Sequence, residues 1–337
     1  MPYSYTQYFK KASCYSLAFL LFIIPAVLSA QSTLAATVTL RKQVTLMGSV
    51  FEITIREQDS LQAAQRIEEA IAEIERIENL ISEWRPQTQI SEVNRQAGIQ
   101  PVKVDKEVFE LTKRAIQYSE MTDGAFDISI VAMDKIWVFD GSMDTMPAEE
   151  DIRNSVRLVN YKDIVLDEGM QTIFLKNKGM KIGFGSIGKG YAADKARAYL
   201  QAKKVPAGIV NASGDIATWG LQGNGKPWLI GINNPFKAHR ILKTLKMVDA
   251  AVTTSGSYEK YAAINGQHYA HIINPKTGMP ASGLTSVTVY GPKAEFANAL
   301  STSIMVLGPV KGIALLKKYK NYSALIMSDK GRVIKSK

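Results

Sequence analysis

Residues 183–190 read GFGSIGKG, and the fold turns on how this stretch is read. It carries G-x-G-x-x-G ahead of a helix-forming segment over 189–204. A dinucleotide-binding Rossmann unit needs a strand directly before that pattern and an acid about 20 residues further on. The preceding MKIGF at 180–184 makes only a short strand, and no acid occurs between Lys195 and Val210. Gly183 with Gly188 and Lys189 also imitates a phosphate-binding P-loop, but Gly190 stands where that motif places its Mg²⁺-binding Ser or Thr. Both near misses leave a glycine turn opening a helix. The first N–H groups of the helix and its positive dipole end attract an anion, and Lys189 adds a cation. A pyrophosphate suits such a turn; so does a tight turn with no ligand.

Outward from this stretch, the pattern predicts a mixed α/β domain rich in antiparallel sheet. Two strands flank Met47 and Gly48 over 38–57, with alternation in VFEITI. Apolar residues at three- and four-residue spacing give a helix over 61–84, ended by Arg85-Pro86, and a second over 105–121 with Asp105 at its N-cap. Strands are expected over 207–212, 228–233, 248–253 and 286–290, and a hairpin over 258–274 turning at Asn265-Gly266. Helices over 294–307 and 311–319 and a hairpin over 323–334 complete the chain.

Composition excludes several classes. With 46% hydrophobic and 21% charged residues, the 337-residue chain is ordinary globular protein. Its net charge of +10 is spread without a dense Lys/Arg block, which argues against nucleic acid as a partner and is compatible with an anionic ligand. Residues 1–36 read as a secretory signal. Lys10 and Lys11 precede the apolar run YSLAFLLFIIPAVL, and small residues at Ser29-Ala30 and Ala35-Ala36 give two candidate cleavage sites near 30–36. The run falls short of the about 20 apolar residues of a membrane span. The single cysteine, Cys14, lies before that run and not after it, where a lipoprotein would carry it. The expected mature domain, 37–337, therefore has no thiol, and a soluble periplasmic protein is predicted.

Several segments could carry chemistry, each with a bland alternative. His271 is a candidate general base, because imidazole titrates near working pH, or a hairpin histidine bonded to backbone. Asn298 and Thr302, four apart, share one helix face, where their oxygens could hold a hard cation or simply be buried. Asp127, in the sequence TDGAFD, could orient a ligand or cap its turn. No G-x-S-x-G elbow is present, which counts against a serine hydrolase.

Taken in order, these segments resemble the ApbE family of FAD:protein FMN transferases. The resemblance runs through Met47-Gly48-Ser49, Ser82-Glu83-Trp84 with Ile90, Ser91 and Asn94, TDGAFDIS at 122–129 and GKGYAAD at 188–194. It continues through NASGDI at 211–216, TSGSYEKY at 254–261, HIINPKTGMP at 271–280 and ANALSTSIMVLG at 297–308. It implies a single domain with a flavin-binding cleft that splits FAD at its pyrophosphate. FMN then passes to a Ser or Thr of an acceptor protein, a subunit of a membrane redox complex. Some relatives instead hydrolyse FAD to FMN and AMP, or only hold it, and a homodimer is compatible with the family. By position, Met47, Trp84, Ala125, Phe126, Asp127, Gly183, Lys189, Ser255 and Ile272 are implied FAD contacts. Ser186, through its carbonyl, with Asn298 and Thr302 would hold Mg²⁺. His271 and Lys189 would be catalytic, the first activating the acceptor hydroxyl and the second facing the phosphates. The family pattern usually has Asp where this chain has Gly183, Asn274 and Asn298. The neutral amide at 298 predicts weaker Mg²⁺ binding.

Overall fold

Alternation in VFEITI puts Phe51, Ile53 and Ile55 on one face of a strand, and all three are fully buried. In the computed structural model, which describes residues 37–237, 239–257 and 260–336, β1 (Val38–Leu46) and β2 (Ser49–Glu57) form an antiparallel hairpin. The expected signal segment and Cys14 lie outside the described residues. Met47 and Gly48 make the turn, both left-handed with φ of 50° and 66°, as a two-residue hairpin of type I′ requires. α1 (Ser60–Ile81) lays Ile67, Ile71, Ile74 and Ile77 in the same core as the inner face of β2. Fully burying one such side chain is worth about 1.5–3 kcal/mol, so this stripe and strand face dominate the core.

The chain continues through α2 (Gln89–Arg95), β3 (Val102–Lys103), α3 (Lys106–Met121), α4 (Glu149–Ser155), β4 (Ile164–Asp167) and β5 (Thr172–Leu175). Then come α5 (Gly188–Ala202), β6 (Ala207–Ala212), β7 (Asp215–Trp219), β8 (Trp228–Asn233), β9 (Ile241–Met247) and β10 (Ala250–Gly256). β11 (Tyr261–Ile264), β12 (Gln267–Ala270), β13 (Leu284–Gly291), α6 (Ala294–Leu316), β14 (Ser323–Ser328) and β15 (Val333–Ser336) follow. One sheet joins eight strands in the order β1-β2-β6-β7-β10-β13-β14-β15, with every pairing antiparallel. α1 packs on β1 and β2, α5 on β6 and β7, and α6 on β10 and β13, with neighbouring helices touching. Three helices thus roof one sheet.

An all-antiparallel sheet has no βαβ crossover, so neither the Rossmann nor the P-loop reading survives. Residues 180–184, expected as a short strand, form none. Their backbone is satisfied from elsewhere. The Asn94 side chain accepts from Ile182 N at 2.8 Å and donates to Ile182 O at 2.9 Å, and Gly183 N donates to Ile128 O.

One helix boundary moves, and one expected cap bond is missing. The helix expected to reach Trp84 ends at Ile81, because Ser82 turns extended. Ser91 Oγ then donates to Arg85 O (2.7 Å) and Thr88 Oγ1 to Ser82 O (2.6 Å), holding 82–85 out of the helix. Asp105 stands at the N-cap of α3 but caps nothing, since its carboxylate accepts from Gln89 Nε2 at 2.7 Å. The break expected between two C-terminal helices is real: within α6, Gly308 is non-helical (φ 75°) just before Pro309. α6 is long and apolar enough by composition to cross a membrane, but Ala297, Leu300 and Ile304 are core residues packed with β13 and β14.

Candidate active site

The glycine stretch gains its meaning from where α5 meets α6. A Cβ on Gly190 would lie 2.8 Å from Ala294 O, so only glycine lets the two helices approach this closely. One turn further along α5, Asp194 Oδ2 accepts from Glu295 N at 3.0 Å, capping the first turn of α6, and Arg197 pairs with Asp194 at 3.0 Å. Burial holds the Asp194 carboxyl above its usual range, against the pull of Arg197 and the capped N–H groups. GKGYAAD is therefore the joint that fixes α6, and with it Asn298 and Thr302, against the N-terminus of α5. That N-terminus carries no side-chain cap.

Two lobes of one cleft open beside this joint. The first, a cavity of about 420 Å³, is lined by Ala125, Phe126, Asp127, Ser186, Lys189, Asp215, Ser255, His271, Ile272, Asn298 and Thr302, among others. The second, about 490 Å³, is lined by Met47, Glu78, Ile81, Glu83, Trp84, Arg85 and Phe184, with neighbours. Ser49, Gly185, Lys189 and Lys260 belong to both, so two cations stand at the neck between them.

Every candidate residue except Gly183 lines this cleft. Gly183 is buried behind it, with Glu83 covering the position its side chain would occupy. Asp127 lines the first lobe and also caps: its Oδ1 accepts from Ser129 N (2.8 Å) and Oγ (2.6 Å), and its Oδ2 from Tyr161 N (2.9 Å). Burial raises its carboxyl, and these donors oppose the rise. Asn274 stays outside the lining and forms a turn, its Oδ1 accepting from Lys276 N at 3.0 Å, a bond an aspartate would make equally well. His271 lies at the open side of the first lobe, its Nδ1 3.3 Å from Lys260 O. A carbonyl only accepts, so in this bond Nδ1 carries the proton.

Asn298 Nδ2 donates to Asp215 Oδ2 at 2.7 Å, leaving Asn298 Oδ1 to accept from Thr302 Oγ1 at 3.3 Å. Ser255 Oγ lies 3.3 Å from Thr302 Oγ1 and 2.8 Å from Ser301 Oγ. Asp215 is 4% exposed, and burial pushes its carboxyl up to about 7. Lys189 and the Asn298 amide pull it down, and Asp194 pushes it further up. Neither Asp215, within NASGDI, nor Glu83, beside Trp84, has a role legible from the sequence pattern. An acid placed directly after a tight Ser213-Gly214 turn, with φ of 54° and 100°, was the available signal for Asp215.

The oxygen-rich cluster suits a hard cation. Asn298, Thr302 and the Ser186 carbonyl offer neutral oxygens, and Asp215 adds the carboxylate that such sites usually contain. Among the described residues no group of three or more His, Cys, Asp or Glu side chains is placed to hold a metal, so a zinc-like centre has no candidate there.

The sequence model of the ApbE family matches residues 47–326. The chain belongs to the ApbE family. It is 31% identical over 293 residues to an FAD:protein FMN transferase of Klebsiella pneumoniae, covering 86% of this chain and 90% of that one. An FAD:protein FMN transferase of Treponema pallidum is 29% identical over 282 residues, covering 79% and 78%. Among solved structures, the ApbE protein of Thermotoga maritima superposes with a TM-score of 0.81 at 29% identity, over 89% of this chain and 97% of that one. The flavin transferase ApbE of Vibrio cholerae gives 0.77 at 25%, over 90% and 97%. The eight-stranded sheet, its helical roof and the cleft are thus those of an ApbE-family protein.

Proposed function

We propose that this chain is an FAD:protein FMN transferase. It splits FAD at the pyrophosphate, joins the FMN phosphorus to a Ser or Thr oxygen of an acceptor protein, and releases AMP. The observation that carries the reading is the two-lobed cleft with Lys189 and Lys260 at its neck, in a chain whose relatives are flavin transferases. A dinucleotide has two rings joined by a pyrophosphate, and the cleft has two lobes joined where the cations are.

The residues divide the work. Lys189 and the uncapped N-terminus of α5 stabilise charge on the phosphate oxygens as the bridging P–O bond breaks. Nε2 of His271 takes the proton of the incoming hydroxyl, and Lys260 O holds the ring in the tautomer this needs. Mg²⁺, held by Asn298, Thr302 and the Ser186 carbonyl, would neutralise the same phosphates when bound. Asp215 orients the Asn298 amide so that its oxygen faces Thr302. We place the protein in the periplasm, exported by the segment 1–36, where it would meet the exposed part of a membrane redox subunit.

The neutral amide at Asn298 favours a second reading, in which the metal site is weak and FAD is bound, or slowly hydrolysed to FMN and AMP, without transfer. In-gel flavin fluorescence separates the two. Mature protein, FAD, Mg²⁺ and a generic flavinylation-motif acceptor should give a fluorescent acceptor band that EDTA abolishes. Tight FAD binding with no band and no AMP would establish the binding protein, and AMP without a band the hydrolase.

A further inference from the structure

Residues 82–85 leave the helix at Ile81 and are braced in place by Ser91 and Thr88. The bracing presses Glu83 against the glycine stretch. A Cβ built on Gly183 would fall 2.9 Å from Glu83 Cδ and 3.0 Å from its Oε1, and one on Gly185 would fall 3.9 Å from the same oxygen. The other acid of this lobe, Glu78, is committed: it accepts from Met47 N at 3.1 Å and pairs with Arg85 at 2.9 Å. Glu83 makes no ion pair with any described residue; burial raises its carboxyl, and its own backbone N–H and the Trp84 side chain oppose the rise. Around it stand Met47, Ile81, Trp84 and Phe184, surroundings that suit a flat ring. The carboxylate is half-buried, and its two oxygens keep accepting capacity beyond those two donors, so a ring N–H placed in the lobe can meet it. A phosphate would be repelled, whereas a ring N–H would be held.

We propose that Glu83 contacts the bound dinucleotide, accepting a hydrogen bond from an N–H of one of its two heterocyclic rings, and that Gly183 lacks a side chain so that this carboxylate can lie in the cleft wall. The inference rests on the reading of FAD as substrate. Both rings of FAD carry a suitable donor, the 6-amino group of adenine and the N3–H of the flavin.

The test is a double-mutant cycle on FAD affinity, read by quenching of flavin fluorescence in EDTA so that no turnover intrudes. A hydrogen bond to a charged group is worth about 1.5–3 kcal/mol, so Glu83→Ala should weaken FAD binding by about 10-fold or more. Glu83→Gln, which keeps the shape and one acceptor oxygen, should fall between it and wild type, and secures the result if the alanine variant folds poorly. Gly183→Ala presses on Val131 in either background, so it should weaken binding more in the wild-type background, where it also pushes the carboxylate aside, than when Glu83 is already alanine. Titrations with FMN and with ADP identify the ring: the ligand whose affinity Glu83→Ala reduces carries the N–H. Glu83→Ala and Glu83→Gln binding FAD as wild type does would overturn the proposal, as would a Gly183→Ala penalty of equal size in both backgrounds. A wild-type protein that binds no FAD would instead remove the transferase reading and this inference with it.

Discussion

Asn298 is where one atom decides the character of the site. Its amide N–H donates to Asp215 at 2.7 Å, one of the two contacts that pull that buried carboxyl down against the rise that burial causes. Asn298→Asp would replace that donor by a second carboxyl group facing the first, raising the cost of ionising either. The metal-free variant should lose about 1–3 kcal/mol of stability, the cost of a lost bond to a buried carboxyl. Mg²⁺ relieves that repulsion, so the rise in melting temperature on adding Mg²⁺ should be larger in the variant than in wild type. Equal Mg²⁺ shifts in the two proteins would show that position 298 does not face the metal. His271 offers a complementary test at the same scale. General-base catalysis is worth about 10²–10⁴-fold, so His271→Gln should slow acceptor flavinylation by that order. FAD affinity should stay unchanged, because the proposed role is on the acceptor proton; a variant that lost FAD binding instead would reassign His271 to ligand contact.

Among the elements, α3 is the clamp that holds the helical roof over the sheet. Glu107, in its first turn, accepts from Tyr191 of α5 at 2.5 Å and pairs with Arg76 of α1 at 2.7 Å and Lys195 of α5 at 3.2 Å. Further along, Arg114 and Tyr118 reach Glu295 of α6 at 2.8 and 3.0 Å. Burial alone would raise the Glu107 carboxyl, but Arg76, Tyr191 and Lys195 outweigh it and hold it near 2, against an ordinary value of 4.5. A depressed carboxyl stabilises the fold above its unfolded value and loses that contribution as pH falls towards the folded one. Glu107→Gln should therefore be less stable than wild type at pH 7 by about 1–2 kcal/mol, allowing for partial solvent screening. The difference should shrink between pH 4.5 and 2. Chemical denaturation at several pH values reads this directly, and a gap that stayed constant with pH would mean that the clamp acts through packing and not charge.

The same scale shows what the sequence made legible. β1, β2 and α1 announce themselves because alternation and helical spacing are local, and because Met47-Gly48 and Asn265-Gly266 are turn formers at positive φ. The segment 82–85 did not, because its shape comes from hydroxyls of Ser91 and Thr88 that no periodicity encodes. Residues 180–184 likewise look like a strand, but the partner that satisfies Ile182 is the side chain of Asn94, 88 positions away. Asp215 escaped assignment because its neighbour Asn298 is 83 residues distant and is brought to it by the packing of α6 across β10 and β7.

Across the whole molecule, the cleft draws on both ends of the described chain and on its middle. Met47 comes from the first hairpin, Lys189 from α5, Asp215 from β7, His271 from beyond β12, and Asn298 from α6. The two largest apolar clusters flank it, one centred on α1, β2 and α5, the other on α6, β13 and β14. A ligand spanning both lobes would therefore bridge structure drawn from distant parts of the chain. Binding to the folded form alone stabilises by about 2.7 kcal/mol at a free concentration 100 times Kd. FAD with Mg²⁺ should therefore raise a single calorimetric transition of the mature protein, with AMP or FMN alone raising it less because each fills one lobe. If instead two transitions appeared and FAD moved only one, the cleft would belong to one cluster, and the dinucleotide would not lie across the neck at Lys189. A single shifted transition, reduced in Lys189→Met and preserved in a control substitution of exposed Val310, would place the phosphates at that neck.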